Sequence, residues 1–328
     1  MRLHENKKLF KQSIAFTAQQ KGIKDIYIEK DYWVTLALHT IFNSEAKEYA
    51  VFKGGTALSK CYGIIERFSE DIDLVVLNQE GDTPSQLKKK IRNIAKIVET
   101  IMPEIDIPEI TNKKGMIRKT AHTYAKQFKG DYGQVRDVII IESTSLGYHE
   151  PFTQKEISTY IFEMMKETDQ LKIAADYNLL PFEVRVLDPT RTFCEKIMSL
   201  VRFSHSENPI KDLIMKVRHL YDLHQLLSLD DILSFFMSTK FDNMLLKVAQ
   251  DDVEGYKSGN EWLTIHPKEA IIFASPKETW SKIKNPYLSD FKNMVYGELP
   301  NEKDILQSIE TIAKRLKKIT WNIKTKSS

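Results

Sequence analysis

The stretch Phe52-Lys53-Gly54-Gly55-Thr56-Ala57-Leu58, followed by Glu66-Arg67-Phe68-Ser69-Glu70-Asp71-Ile72-Asp73-Leu74, decides how this chain is read. Residues 49–52 make a short apolar strand, the glycine pair turns the chain, and a helix runs to about residue 65. Residues 71–77 alternate and then run apolar (Ile72, Leu74, Val75, Val76, Leu77), as a buried strand does. Asp71 and Asp73 stand two apart at its start, so their side chains leave one face of the sheet. Two adjacent carboxylates repel unless a cation lies between them. Such oxygen ligands suit Mg²⁺, which takes its other ligands from water and phosphates. A pair of these ions, roughly 3.5–4 Å apart, can activate an attacking oxygen and stabilise a leaving group.

Gly54 and Gly55 lack Cβ and let backbone N–H groups approach a phosphate at a helix N-terminus, where partial positive charge favours anions. Thr56 adds a hydroxyl, and Lys53 and Arg67 are nearby cations. The pattern is neither a Walker loop nor a dinucleotide fingerprint, because neither Gly-Lys-Ser/Thr nor Gly-x-Gly-x-x-Gly occurs. A Gly-Gly alone is an ordinary turn, and Asp-x-Asp alone an ordinary solvated loop. Strand, glycine turn, helix and Asp-x-Asp strand in that order point to a triphosphate and a divalent cation. Glu142, after Val138-Ile139-Ile140-Ile141, supplies a third carboxylate from a strand otherwise too apolar to hold an unpaired charge cheaply. The alternative is a strand-end glutamate facing water.

Outward from this centre, helices are expected over residues 4–21, ending at Gly22, and 28–42, with Tyr32, Leu36 and Leu38 on an apolar face. Pro84 opens a helix to residue 101. Residues 103–119 read as an exposed basic connector. Residues 121–128 and 135–143 read as hairpin strands around Gly130-Asp131-Tyr132-Gly133, and 182–187 as a last strand. Amphipathic helices follow over 189–204 and 209–228. The rest is mostly helical, with loops near 255–259 and 276–286. The reading is a mixed sheet with flanking helices over residues 25–187, then a helical half.

Bulk properties fit a folded globular chain: 328 residues, 42% hydrophobic, 28% charged, net charge +3. No apolar run reaches the roughly 18 residues of a membrane span, and Met1 to Phe10 is too polar for a signal peptide. Two cysteines, Cys61 and Cys194, suggest reduced thiols in a cytoplasmic setting. The charge balance gives no independent argument for nucleic acid.

The sequence resembles the AbiEii-type nucleotidyltransferases, the toxin halves of bacterial abortive-infection toxin–antitoxin systems used in phage defence. The resemblance rests on Lys53-Gly54-Gly55-Thr56-Ala57-Leu58, Tyr62-Gly63 and Arg67-x-Ser69-x-Asp71-Ile72-Asp73-Leu74. It extends to Glu29-Lys30-Asp31-Tyr32-Trp33-Val34, Arg191-Thr192-Phe193-Cys194-Glu195-Lys196, Arg218-His219-Leu220-Tyr221-Asp222-Leu223 and Met294-Val295-Tyr296-Gly297-Glu298-Leu299-Pro300. It implies an α+β architecture: a nucleotidyltransferase-fold mixed β-sheet with flanking helices over residues 1–188, then a mostly helical C-terminal domain, 189–328, completing the active-site cleft. It implies Mg²⁺ on Asp71 and Asp73 and a nucleoside triphosphate bound by Gly54, Gly55, Thr56 and Lys196, with Asp222 as a further acid; the reading of the residues adds Glu142 to the metal ligands and Lys53, Arg67 and Ser69 to the triphosphate site. The expected reaction is transfer of a nucleotidyl group to an acceptor, the tRNA 3′ end by resemblance, with a cognate antitoxin as partner. Transfer to a protein or small molecule, or triphosphate binding without turnover, are the alternatives. Arg191 with Glu195, and Arg218 with Asp222, stand four apart and could equally pair on a helix surface. Where the wider superfamily has Gly-Ser at the turn, this chain has Gly-Gly-Thr, so Thr56 supplies the hydroxyl one position later. Residues 29–31 are either a supporting shell or the polar face of a helix. The basic residues Lys113, Lys114, Arg118, Lys119, Lys126 and Lys129, interleaved with Tyr124, Phe128 and Tyr132, are either an RNA track or a solvated hairpin face.

Overall fold

In the computed structural model, seven strands form one sheet in the order β3-β4-β5-β2-β1-β7-β6. They are β1 (Ala50–Lys53), β2 (Ile72–Val76), β3 (Glu104–Ile105), β4 (Ile117–His122), β5 (Ile139–Thr144), β6 (Phe152–Ile157) and β7 (Phe182–Leu187). β1 runs parallel to β7 and β2 parallel to β5; the other neighbours are antiparallel, so the sheet is mixed. The structure describes residues 1–108, 110–113, 115–130, 132, 135–145, 151–255 and 259–325.

The contacts divide the chain into two units. The first holds the sheet and comprises Met1–Gly63, Arg67–Ser145 and Phe152–Leu187. Its helices are α1 (Lys7–Lys21), α2 (Asp25–Phe42), α3 (Gly54–Lys60), α4 (Pro84–Glu99), α5 (Tyr160–Glu167) and α6 (Leu171–Asp176). α1 stops where Gly22 takes the left-handed conformation, φ 65°, that closes helices cheaply. α4 opens on a capping box in which Thr83 and Gln86 satisfy each other's backbone N–H groups, with Pro84 at its first position. α2 differs from the amphipathic expectation: 15 of its 18 residues are buried, Glu29, Lys30 and Asp31 among them. A helix buried nearly all round belongs to the core rather than a surface layer.

The second unit comprises mainly Asp188–Ser328, with Ile64–Glu66 attached. Its helices are α7 (Pro189–Ser204), α8 (Pro209–Ile214), α9 (Val217–Leu227), α10 (Asp230–Met237), α11 (Thr239–Gly255), α12 (Ile271–Ala274), α13 (Pro276–Leu288) and α14 (Glu302–Leu316). Phe193, Phe236 and Phe241 pack edge to face or tilted at its centre, with centroids 5.0–6.0 Å apart.

Several local expectations change. The helix after the glycines ends at Lys60, short of residue 65. The supposed connector over 103–119 contains β3 and the start of β4. The hairpin exists as β4 against β5, but its first strand lies at Ile117–His122 instead of 121–128. The reason is register: this pairing sets Lys119 opposite Glu142 and buries Thr120, Ala121 and His122. Asp131 and Gly133 of the expected turn, Lys114 of the basic run, and residues 256–258 of the expected 255–259 loop lie outside the described residues. Residues 276–286 are not a loop but most of α13. Pro276 sits at its first position, where the missing N–H costs nothing, and Pro286 in its last turn; Thr279, Trp280, Ile283 and Tyr287 are buried at helical spacing. Strand β6 and helices α5 and α6 were not anticipated.

One buried ion pair ties α2 to α3 and α5. Lys60 Nζ lies 2.6 Å from Asp31 Oδ1, both side chains no more than 5% exposed, and the Tyr160 N–H donates to Asp31 Oδ2 at 2.9 Å. Lys60→Met leaves the Asp31 charge buried without its cation and is expected to cost about 3–5 kcal/mol. Urea denaturation measures this, and a loss below 1 kcal/mol would show that the pair does not hold these helices.

Candidate active site

Four charged side chains stand in register across four strands. Lys53 of β1 pairs with Asp73 of β2, Asp73 with Glu142 of β5, and Glu142 with Lys119 of β4. Directly paired residues project to one face, so the order across the sheet is cation, carboxylate, carboxylate, cation. Asp71 precedes β2 by one residue and, two before Asp73, belongs to the same side. Burial above all, then Glu142 and Asp71, pushes the Asp73 carboxyl up to about 7, while Lys53 and Lys119 pull it back. Lys119 Nζ is 3.2 Å from Glu142 Oε2, and an Arg136 guanidinium nitrogen is 3.7 Å from Asp71 Oδ2. The other Asp71 oxygen, Oδ1, is buried with no hydrogen-bond partner.

The donor set therefore suits a divalent cation: three carboxylates share one face, and one of their oxygens is buried and unsatisfied. It is not a closed cage. Among the described residues, no group of three or more His, Cys, Asp or Glu side chains could hold a metal ion as placed. Glu142 lies against Lys119 and Asp71 near Arg136. Mg²⁺ does not require such a cage, because one or two carboxylates with phosphate oxygens and water complete its shell.

The glycines are needed for room as well as for turning. Gly54 has φ +81°, and a Cβ there would lie 2.2 Å from Asp73 Oδ2. A Cβ on Gly55 would lie 2.8 Å from a terminal nitrogen of Arg67 and 3.0 Å from Ser69 Oγ. The glycine motif and the Arg-x-Ser-x-Asp-x-Asp motif thus pack directly on each other. Thr56 Oγ1 donates to the Asp71 carbonyl at 2.6 Å and lies 3.0 Å from Ser69 Oγ. Thr56 and Arg67 are both buried, and Arg67 donates to the Phe68 carbonyl at 3.1 Å. These residues fix the entry into β2.

Residues 29–31 prove to be support. Glu29 accepts the N–H groups of Gln127 and Phe128 at 2.6 and 3.0 Å. Lys30 Nζ donates to the Arg136 carbonyl; burial draws this ammonium down to about 8, against the pull of Glu70 and Asp71. The sequence alone leaves these three undecided, because α2 carries charge on a helix with no polar face. Most of the described basic side chains considered as an RNA track are matched by acids: Lys113 and Arg118 by Glu104, Lys119 by Glu142, Lys126 by Asp137.

In the helical unit, Lys196 of α7 and Asp222 of α9 are buried and joined at 2.6 Å. Arg191, also buried, binds Glu195 at 3.2 Å and Asp251. Arg191 with these two acids thus forms an ion network that joins α7 to α11 within the unit. The Tyr296 N–H donates to the Glu66 carbonyl at 2.9 Å, the Glu66 N–H to the Tyr221 hydroxyl at 3.1 Å, and a Cβ on Gly297 would lie 2.0 Å from Glu66 Oε2. Glycine at 297 makes room for Glu66. Among the described residues, no helix is long and apolar enough to cross a membrane.

The profile of the family described as "Nucleotidyl transferase AbiEii toxin, Type IV TA system" matches residues 36–314. The chain belongs to this AbiEii family of nucleotidyltransferase toxins. Among solved structures it is similar to MenT4, the nucleotidyltransferase toxin Rv2826c of Mycobacterium tuberculosis H37Rv. The two are 16% identical, with a TM-score of 0.49, over 91% of this chain and 98% of that one. No curated protein matches the chain.

Two outcomes follow from the charges. The folded-state pKa of Asp73 lies above the unfolded value of about 3.9, so ionising it costs stability as pH rises from about 4 to 7. Asp73→Asn is expected to raise stability at pH 8 by on the order of 1–2 kcal/mol, the gain fading by pH 4; melting curves across pH measure it. Lys196→Met, which strands Asp222, is expected to lower stability by about 3–5 kcal/mol, and Lys196→Met with Asp222→Leu to recover most of it.

Proposed function

We propose that this chain is a Mg²⁺-dependent enzyme that transfers a nucleotidyl group from a nucleoside triphosphate to the 3′ end of tRNA. The observation that carries the reading is the carboxylate face itself: Asp71, Asp73 and Glu142 together, with Lys53 and Lys119 on either side and glycine packed against Asp73. Asp71 and Asp73 hold the metal, with Glu142 beside them. Bound there, Mg²⁺ supplies charge neutralisation of the phosphates and a lowered pKa for an attacking hydroxyl. Gly54 and Gly55 start α3, and in this reading the first-turn N–H groups of that helix meet the phosphates. Lys53 adds a cation at the edge of the carboxylates. Thr56, Arg67 and Ser69 serve the triphosphate by setting the position of Asp71 rather than by touching a phosphate. Positioning and fixed charge do most of the work in such a reaction.

Lys196 and Asp222 enter through the family motif. In this reading Lys196 contacts the nucleotide phosphates, and Asp222 holds its ammonium ready. The helical domain, 189–328, then serves the active site rather than only stability. In this reading the protein is one half of a toxin–antitoxin pair, acts in the bacterial cytoplasm in defence against phage, and is opposed by a cognate antitoxin; its membership of the AbiEii family supports the pairing.

The test is incubation of the purified protein with Mg²⁺, total tRNA and each α-labelled nucleoside triphosphate in turn, with Asp71→Ala alongside. Label on tRNA, reduced by about 10³-fold or more in the variant, is the expected result. Label on protein or a small molecule instead would overturn the tRNA assignment but keep the chemistry. Growth arrest that survives Asp71→Ala would overturn catalysis itself.

A further inference from the structure

Arg136 stands just before β5, and its main chain is fixed from several sides. Val135 is buried, Asp137 is paired with Lys126 at 2.7 Å, and Lys30 donates to the Arg136 carbonyl from within α2. The side chain is not held to match. It is 40% exposed, and its guanidinium lies 3.7 Å from Asp71 Oδ2, beyond hydrogen-bond reach. Among the described residues, Asp71 is the one acid within ion-pair distance of it. A guanidinium offers five donors in a planar fork that fits two phosphate oxygens at once. Here that fork stands at the carboxylate face on a rigid backbone with no strong partner. Lys119, by contrast, is already engaged with Glu142 at 3.2 Å.

We propose that Arg136 is a triphosphate-binding residue: it balances Asp71 in the resting protein and moves to a pair of phosphate oxygens when a divalent cation and triphosphate bind. Once Asp71 ligates a cation, its charge is shared and its hold on the guanidinium weakens, while the arriving phosphates bring several negative charges to the same face. The proposal rests on the carboxylate face being the triphosphate site. It differs from a purely structural role, in which Arg136 would keep Asp71 in place and its loss would weaken cation binding.

The experiment compares wild type, Arg136→Ala and Arg136→Lys by calorimetric titration with Mg²⁺ alone, then with inorganic tripolyphosphate at saturating Mg²⁺, a probe independent of the base. Arg136→Ala is expected to bind Mg²⁺ as well as wild type or up to severalfold more tightly, and tripolyphosphate about tenfold more weakly. Arg136→Lys, which keeps the charge and loses the fork, should fall between. Should the alanine variant not fold, Arg136→Gln carries the same comparison. Unchanged tripolyphosphate binding by the variants overturns the proposal, and so does weakened Mg²⁺ binding, which would make Arg136 a support for Asp71. If wild type binds neither Mg²⁺ nor tripolyphosphate, the reading of the face falls, and this proposal with it.

Discussion

At Gly54 the backbone passes so close to Asp73 that a single added carbon would stand 2.2 Å from its carboxylate oxygen. Around this contact the site is organised. The helix after β1 can begin where it does only if residue 54 has no side chain and accepts a positive φ. The same closeness sets the first turn of α3 directly over the carboxylates. Gly55 repeats the constraint one residue later against Arg67 and Ser69, and Thr56 closes it by binding the Asp71 carbonyl. The two motifs separated in sequence are therefore one packed object.

That object holds like charges together, which proteins avoid without a reason. The cost appears in the raised Asp73 carboxyl and in the unsatisfied oxygen of Asp71. Lys53, Lys119 and Arg136 offset part of it, each from a different element. A bound cation would relieve that cost, which is why the proposed reading centres on this face.

The central part of this arrangement was legible because it is local. Strand, glycine turn, helix and Asp-x-Asp strand lie within residues 50–76, and period-2 alternation in β2 and the apolar run of β5 are strong signals. The register that sets Glu142 beside Asp73 was not legible, since pairing of β2 with β5 joins segments some 70 residues apart. Strand β6 was missed because five of its six residues are exposed, so Phe152-Thr153-Gln154-Lys155-Glu156 shows no buried face. Helix α13 is hard to read from sequence because of its prolines: Pro276 opens it, and Pro286 lies inside it, two residues before its end. The supporting role of Glu29, Lys30 and Asp31 depends on partners at 127, 136, 60 and 160, which no pattern around α2 announces.

Those partners also set an order in time. Asp31 is complete only when Tyr160 is present, and Glu29 only when Gln127 and Phe128 are. A chain leaving the ribosome from its N-terminus exposes Asp71 and Asp73 long before the residues that brace α2 behind them have been made. Contacts spanning about 100 residues close late, because their loop entropy must be overcome first. The carboxylate face is thus braced from behind only once the chain has been made as far as Tyr160, about ninety residues beyond the aspartates it supports.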